Sequence, residues 1–265
     1  MRIYTLGTSH GDSTLVRFNS STVYETKKGT LYLIDPGAPV EALMKRKGLS
    51  CIDLKACFIT HMHDDHVGGI TSLFKEVNKY SSRRSRAVSL GFPEERAIDG
   101  FKAWFSMLHE DPDSGFIKYF SVDDGTVYED EEISVTAIRT KHLKENKTSG
   151  VFCSFAYVLY FKEEGKRVLH SGDLSRDFSD FPKIAFEEHF DACVCEATHY
   201  DPEIARDAFL SAKFDRLIFS HIGERWHNEM KTRWQTVRHE FDLLEYCKDY
   251  PYPAVVAHDG DEFLI

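Results

Sequence analysis

Hydrophobic and polar positions alternate along this chain in a way that predicts strands with helices between them. Residues 56–59 form a short apolar run, and residues 132–139 and 152–160 alternate in the manner of half-buried strands. Residues 40–46 and 96–108 repeat their apolar positions at helical spacing instead. In the second of these helices we expect five side chains to form a stripe facing the core: Ile98, Phe101, Trp104, Phe105 and Leu108. The pattern therefore predicts an α/β protein.

The length of the chain and the spacing of its cysteines indicate which class of protein it belongs to. A chain of 265 residues can bury a large core, so we expect one compact domain over residues 1–265. No apolar run approaches the length that spans a bilayer, and the chain starts on a strand-like segment without a charged leader, so we expect no membrane association and no signal peptide. The six cysteines lack the spacing of a disulfide framework or a metal site, which indicates reduced, buried thiols. These features favour a cytoplasmic protein.

The densest chemical signal is the run His-Met-His-Asp-Asp-His at residues 61–66. With 13 His in 265 residues, chance would place well below one imidazole in such a window. Imidazole nitrogens and carboxylate oxygens are preferred ligands of Zn²⁺ and similar ions. The run lies between an apolar strand and an amphipathic stretch, on the kind of loop that carries catalytic groups. His61 and His63 can point toward one ion, while Asp65 and His66 are carried around the turn toward a second.

These six residues match the pattern His-x-His-x-Asp-His, and the chain resembles the metallo-β-lactamase superfamily, most closely its ribonuclease Z and phosphodiesterase branch. Later motifs follow in the family's order: a strand ending in His at residues 139–142, a strand followed by Gly-Asp at 168–173, and an apolar strand ending in His at 217–221. The resemblance implies a four-layer αβ/βα sandwich and a binuclear metal centre. The ligands that it implies are His61, His63 and His142 for one ion, Asp65, His66 and His221 for the other, and Asp173 for both.

Two further histidines compete for a role at this centre. His170 belongs to the strand that delivers Asp173, and alternation along that strand indicates a structural role. His199 follows a Glu-Ala-Thr segment that resembles one in the ribonuclease Z branch, although Cys195 stands where that branch typically has His. We expect Glu196 to hold a ligand His in place and His199 to donate a proton to the leaving group.

Two glycine-containing segments resemble loops of the same branch. Residues 7–11, Gly-Thr-Ser-His-Gly, offer Ser9 and His10 as substrate-binding residues, and a simple tight turn is the alternative. The segment lacks the Gly-Lys-Ser/Thr ending of a phosphate-binding P-loop. The Asp-Gly pair at residues 259–260 is expected to form a structural turn between two terminal strands.

The expected chemistry is hydrolysis. Two divalent ions about 3.5 to 4 Å apart can lower the pKa of a bridging water, so that a metal-bridging hydroxide acts as the nucleophile. Asp65 would orient that hydroxide or accept its proton. The mixed nitrogen and oxygen ligands suit Zn²⁺ first, with Mn²⁺ or Fe²⁺ as alternatives. We expect a phosphodiesterase acting on a small nucleotide-like or cyclic phosphate diester.

Other functions stay open. A ribonuclease Z-like endoribonuclease is disfavoured, because ribonuclease Z carries its RNA-gripping arm between the third His motif and the bridging Asp, and strands largely fill that interval here. The net charge of -10 also shows no broad phosphate-binding surface. A local patch could be formed by Lys79, Arg83, Arg84 and Arg86, although a solvated loop is the simpler interpretation.

Two more alternatives use the same fold. A lactone, thioester or amide hydrolase would need an apolar pocket beside the metals, and a non-catalytic metal-binding sensor ranks last because all seven ligand positions are filled. As partners we expect a small phosphodiester substrate and no membrane. Nucleic acid is not favoured, and a homodimer is left open.

Overall fold

The computed structural model describes residues 1–12, 14–145, 150–226 and 240–265. This part of the chain forms two mixed sheets of seven strands each. In spatial order the first sheet consists of β14 (Asp261–Leu264), β1 (Arg2–Gly7), β2 (Ser21–Glu25), β3 (Leu31–Ile34), β4 (Leu54–Phe58), β5 (Val88–Phe92) and β6 (Ile117–Ser121). The second consists of β13 (Ala254–Val256), β12 (Leu217–Ile222), β11 (Ala192–Ala197), β10 (Lys166–His170), β9 (Phe155–Phe161), β8 (Ile133–Arg139) and β7 (Gly125–Glu129).

Helices cover the outer face of each sheet. The described α-helices are α1 (Val40–Arg46), α2 (Asp64–Val67), α3 (Ile70–Lys79), α4 (Glu95–Met107), α5 (Ile184–Glu187), α6 (Pro202–Ser211) and α7 (Glu240–Glu245), and the 3₁₀ turns are Cys51–Asp53, Ser81–Arg83 and Glu224–Trp226. Side chains of α1, α3 and α4 pack on the first sheet, and those of α5, α6 and α7 pack on the second. The layers are therefore helix, sheet, sheet and helix, and the predicted four-layer sandwich is confirmed.

The central core lies between the two sheets. Tyr32 and Phe58 of the first sheet share a buried cluster with Tyr157, Val168 and Ile218 of the second. Side chains alternate along a strand, so the neighbouring residues of the same strands face the helices instead. Both sheets are thus covered on both faces, which explains why several of their strands are apolar at nearly every position.

The strand directions decide where the loops with chemical groups meet. In the first sheet β3, β4, β5 and β6 run parallel to one another, and in the second β10, β11, β12 and β13 do so. Because the carboxyl ends of parallel strands lie at one edge of a sheet, the segments that follow β3, β4, β10, β11 and β12 gather at one end of the sandwich. The carboxyl end of β8 lies at the same edge, because β8 and β10 both pair antiparallel with β9 and therefore run in the same direction.

Some sequence expectations hold in detail, and two need correction. All six cysteines are buried and free, as expected. In α4, however, Phe101 and Phe105 are buried, whereas Trp104 is 55% exposed and Leu108, directly after the helix, is 44% exposed. The helix packs on the sheet through a narrower face than its apolar stripe. The predicted strand at 152–160 begins only at Phe155 and is buried on both faces rather than half-buried, because it lies in the middle of a covered sheet. None of the described helices is long and apolar enough to cross a bilayer.

Candidate metal centre

One group of candidate ligands combines three histidines and a carboxylate. His61, His63, His142 and Asp173 each place a ligand atom within 4.8 Å of the others. The Nε2 atom of His61 lies 3.0 Å from Nδ1 of His63, and Nε2 of His142 lies 3.3 Å from that same Nδ1. His61 is fully buried and its pKa lies well below the usual value, mainly because of burial. The neutral imidazole is the form that binds a metal.

A second group lies directly beside the first. Asp65, His66 and His221 are all buried and place their ligand atoms within 4.8 Å of one another. Asp65 and His66 project from the short helix α2, which begins inside the six-residue motif, whereas His221 lies near the end of β12. His221 has a backbone φ of 48°, a left-handed conformation that costs energy for a residue with a side chain. Such strain often accompanies a functional position.

Asp173 lies at the junction of the two groups. Its Oδ2 atom is 3.6 Å from Nε2 of His61 and 3.5 Å from Nε2 of His66. The same oxygen is 3.6 Å from Nε2 of His142 and 3.6 Å from Nε2 of His221. Burial alone would raise the pKa of Asp173, but the surrounding histidines hold it well below its usual value. The carboxylate is therefore charged and central, as a bridging ligand would be.

The backbone before Asp173 has room only for glycine. Gly172 has a φ of +55°, and a Cβ at this position would lie 2.4 Å from the carbonyl oxygen of Phe155. A side chain would therefore be strained and would collide with β9. The Gly-Asp motif is thus explained by the close approach that brings Asp173 between the sheets.

The donor atoms fit a divalent cation. The Oδ1 atom of Asp173 is buried and has no hydrogen-bond partner among the described residues, although a buried carboxylate oxygen normally has one. In the second group, Nε2 of His66 and Nε2 of His221 face each other at 3.2 Å. Orphaned carboxylate oxygen and converging imidazole nitrogens are a suitable donor set for Zn²⁺ or a similar ion.

Asp35 and Thr60 support the second group and escaped the sequence analysis. The Oδ2 atom of Asp35 lies 2.7 Å from Nδ1 of His66, and its Oδ1 atom accepts a 2.7 Å hydrogen bond from the backbone N–H of Thr60. The hydroxyl of Thr60 also donates to Asp35, at 2.7 Å. Such an outer carboxylate fixes the ring and the tautomer of a histidine. The signal available in the sequence was an Asp directly after the short apolar run at residues 31–34.

Glu196 and Thr198 hold two different histidines. The hydroxyl of Thr198 lies 3.0 Å from Nδ1 of His221, so Thr198 orients that candidate ligand. Glu196 was expected to hold a ligand His, but its Oε1 atom lies 3.0 Å from Nδ1 of His199 instead. The side chain of Cys195 lies in the core between β11 and the helices, because alternation turns it away from the centre.

His199 borders the centre without belonging to the seven expected ligands. Its Nδ1 atom is 3.8 Å from Oδ2 of Asp173, and its ring lies 4.4 Å from that of His142. Together with Asp173 and His221 it forms a further group with ligand spacing. Burial alone would lower the pKa of His199, but the hydrogen bond and charge of Glu196 raise it to about 9.

The remaining candidates have clear places. His170 is buried, its Nδ1 atom lies 2.8 Å from the hydroxyl of Tyr24, and burial lowers its pKa to about 4, in agreement with a structural role. Ser9 is 1% exposed and donates its hydroxyl hydrogen bond to the carbonyl of Asp12, which makes it a poor substrate contact. His10 instead lines a cavity beside His199.

The terminal Asp-Gly turn does more than connect two strands. Asp259 accepts hydrogen bonds from the N–H and the hydroxyl of Thr8, at 2.9 and 2.7 Å, and from the N–H of Phe18. The buried guanidinium of Arg17 donates to the hydroxyl of Thr8 and ion-pairs with Glu240 at 3.0 Å. The turn therefore fastens the loop that carries His10 beside the centre.

The basic segment 79–86 is not a uniform patch. Arg84 is buried and donates to the carbonyls of Cys51 and Leu54, so it serves the fold and is not available to bind phosphate. Arg83 lies over the ring of Tyr80, with 5.3 Å between its guanidinium carbon and the ring centroid. The burial of Arg84 therefore removes one of the four residues from the patch that the sequence left open beside the simpler interpretation of a solvated loop.

Known proteins resemble the chain in sequence and in structure. A ribonuclease Z of Gloeothece citriformis is 30% identical over 146 residues, which cover 54% of this chain and 44% of the relative. The chain thus covers less than half the length of that curated relative. Human tRNase Z, short form, superposes with a TM-score of 0.72 at 18% identity, covering 100% of this chain and 99% of that one.

Two further solved structures are similar to the same degree. The metallo-β-lactamase fold protein YhfI from Bacillus subtilis gives a TM-score of 0.73 at 14% identity, covering 99% of each chain. A diphosphatase of the PhnP family gives 0.69 at 17% identity, covering 100% of this chain and 97% of the other. These likenesses establish the metallo-β-lactamase fold. The family model described as Anti-Pycsar protein Apyc1 matches residues 1–199, which is more than half of the chain. The chain therefore belongs to the Anti-Pycsar protein Apyc1 family and has the metallo-β-lactamase fold.

Proposed function

We propose that the chain is a metal-dependent phosphodiesterase that acts on a small nucleotide-like or cyclic phosphate diester and uses two divalent ions, with Zn²⁺ as the first candidate. The observation that carries the proposal is the position of Asp173, whose Oδ2 atom lies within 3.6 Å of four histidines from two adjacent ligand groups. Two divalent ions held by these residues would activate water and neutralise the charge that develops on a phosphoryl oxygen.

The protein's own groups would then position the reactants. His61, His63 and His142 would hold one ion, the second group of Asp65, His66 and His221 would hold the other, and Asp173 would bridge them. Asp65 is 5% exposed and keeps a pKa below its usual value despite burial, because of His221 and His66. A carboxylate that stays ionised can orient the attacking water and accept its proton.

His199 is the proposed proton donor to the leaving group. Glu196 engages its Nδ1 atom, so Nε2 is the ring atom left to reach a substrate oxygen. The same arrangement would also suit a metal ligand, since His199 lies near Asp173 and His221. Metal content distinguishes the two roles, because a proton donor can be removed without loss of metal.

A transfer-RNA processing enzyme is the second candidate, and its support is the similarity to ribonuclease Z and tRNase Z. The interval between His142 and Asp173 argues against it, because it has only 30 residues and β9 and β10 occupy 12 of them. A folded RNA draws much of its binding energy from phosphate contacts distant from the reactive site. The burial of Arg84 weakens the basic segment at residues 79–86, which could otherwise supply such contacts.

The deciding experiment compares substrates on the purified protein with Zn²⁺, Mn²⁺ or Fe²⁺. We expect the largest kcat/KM on a small diester, such as bis-para-nitrophenyl phosphate or a cyclic nucleotide, and low values on a lactone panel and a β-lactam. A precursor transfer RNA tests the second candidate in the same assay. A clear preference for that RNA, lost when Arg83 and Arg86 are replaced by Ala, would contradict the proposal.

A further inference from the structure

We propose that Asp180 is a positioning residue that holds His142 in place for one of the two metal ions. The inference rests on the metal centre of the proposed function and adds a residue outside the seven candidate ligands. Asp180 lies in the turn that follows β10, is half-buried, and comes seven residues after Asp173. Its carboxylate joins this turn to the segment at residues 140–145, which carries His142.

His142 lacks the side-chain support that several other candidate ligands have. In three of them a polar side chain lies within 3.1 Å of the ring atom Nδ1, and these pairs are His61 with Thr60, His66 with Asp35, and His221 with Thr198. The Nε2 atom of His142 faces His63 at 3.3 Å, and no residue within the described ranges hydrogen-bonds to its Nδ1 atom. A histidine ligand is normally oriented through its second nitrogen. The position of the His142 ring therefore depends on its backbone.

Two residues before His142 attach its segment to the rest of the protein. Thr140 is fully buried and donates its hydroxyl to the carbonyl of Asp173 at 3.0 Å. The N–H of Lys141 donates to Oδ2 of Asp180. In the rest of this segment no backbone group has a hydrogen bond with another described residue. Asp180 thus supplies the attachment nearest to His142.

The same carboxylate is attached to the chain that follows Asp173. The N–H of Ser175, two residues after Asp173, lies 3.0 Å from Oδ1 and 3.1 Å from Oδ2 of Asp180. Hydrogen bonds from N–H groups to a charged carboxylate are about twice as strong as those between neutral groups. Asp180 therefore links the chain beside His142 to the chain beside Asp173. The two ligand atoms of these residues, Nε2 and Oδ2, lie 3.6 Å apart.

The turn that carries Asp180 is anchored in the core. Phe178 and Phe181 are its neighbours in the sequence, and both are buried. Their rings stack with 4.7 Å between centroids and pack in the cluster between the second sheet and its helices. The N–H of Phe178 also donates to the carbonyl of Ser175 at 3.0 Å. Asp180 thus projects from a fixed turn, which is what a residue that positions a ligand requires.

Asp177 offers a matched control in the same turn. It is exposed, and its Oδ1 atom lies 2.7 Å from the hydroxyl of Ser175 and accepts a backbone N–H of the turn at 3.1 Å. Among the described residues it has no hydrogen bond with the segment that carries His142. Replacing either Asp by Asn therefore disturbs the turn, but only Asp180→Asn disturbs the attachment of Lys141.

The test measures Zn²⁺ affinity by competition with a chromophoric chelator. We expect Asp180→Asn to weaken the binding of one of the two Zn²⁺ ions about tenfold, as loss of an outer support does. Asp177→Asn should change neither affinity by more than about twofold. Asp180→Glu, which keeps both acceptor oxygens, should fall between the wild type and Asp180→Asn. In a double-mutant cycle with His142→Ala there is no imidazole to position, so Asp180→Asn should then change Zn²⁺ affinity by less than about twofold.

Unchanged Zn²⁺ affinity in folded Asp180→Asn would overturn the inference. An equal loss in Asp177→Asn, or a loss of similar size that persists in the His142→Ala background, would also overturn it, because each would show a general effect on the fold. If the wild type binds no Zn²⁺, the proposed metal centre fails, and amide hydrogen exchange of residues 141–145 in the metal-free protein then decides. Faster exchange in Asp180→Asn than in the wild type and Asp177→Asn supports the attachment, and equal exchange in all three refutes it.

Discussion

The hydrogen bond from His66 to Asp35 makes a specific prediction about metal affinity. Asp35 is 2% exposed and presents two acceptor oxygens to three donors: the N–H and the hydroxyl of Thr60, and the ring N–H of His66. The variant Asp35→Asn preserves the shape of the side chain but replaces one acceptor with an NH₂ group. Whichever way the amide is turned, at least one buried donor loses its partner.

The effect of Asp35→Asn on stability and on metal binding can be estimated from these contacts. An unpaired buried donor costs about 1 to 3 kcal/mol of the free energy of unfolding. If the amide NH₂ faces Nδ1 of His66, the ring must accept there and carry its proton on Nε2, the atom that lies 3.2 Å from His221 and 3.5 Å from Asp173. That tautomer cannot offer Nε2 to an ion. Loss of such an outer partner typically weakens metal binding about 10- to 100-fold.

The assay is Zn²⁺ competition with a chromophoric chelator, together with metal content after dialysis. We expect the ion held by Asp65, His66 and His221 to be lost at a lower chelator concentration than in the wild type, and the other ion to be retained. Asp191→Asn is the matched control, because Asp191 also accepts a backbone hydrogen bond, from Arg167 at 2.8 Å, at the opposite edge of the same sandwich. Wild-type affinity for both ions in folded Asp35→Asn would refute the reasoning.

Three other predictions follow from the site and the fold. Elemental analysis of the wild type should find two divalent ions per chain. Asp173→Ala should lose most of this metal, whereas His199→Ala should retain it and lower the rate about 10²- to 10⁴-fold. Equal metal loss in both variants would show that His199 is a ligand. A precursor transfer RNA should bind weakly and with steep salt dependence, and tight binding at 200 mM salt would contradict the small-substrate interpretation. Burial alone would raise the pKa of Asp130, but hydrogen bonds from the N–H of Ile133 and from Lys55 lower it to about 2. The contribution of Asp130 to the free energy of unfolding should thus be complete above pH 4 and disappear as the pH falls toward 2. Between these values, the free energy of unfolding measured with urea should fall by about 1 kcal/mol more for the wild type than for Asp130→Asn, a figure reduced for solvent screening.

Features of the fold that depend on a few neighbouring residues could be predicted from the sequence, and those that depend on packing between distant segments could not. The helix bounds at Val40–Arg46 agree with the sequence prediction, because hydrophobic period and turn residues act over a few positions. The prediction that Trp104 faces the core as part of the apolar stripe on α4 was wrong. The sequence pattern shows which side of a helix is apolar, but not how much of that side a neighbouring sheet covers.

The sequence by itself determined the ligand types, their order and the loop that concentrates them, since His61, His63, Asp65 and His66 are neighbours along the chain. It also indicated that strands deliver the later candidates. Only the tertiary structure decided that Asp35 supports His66 and that Glu196 supports His199, and only it joined Asp180 to the segment that carries His142. The reason is physical: these contacts depend on which parallel strands are neighbours and on how two sheets pack, and residue spacing along the chain does not encode either.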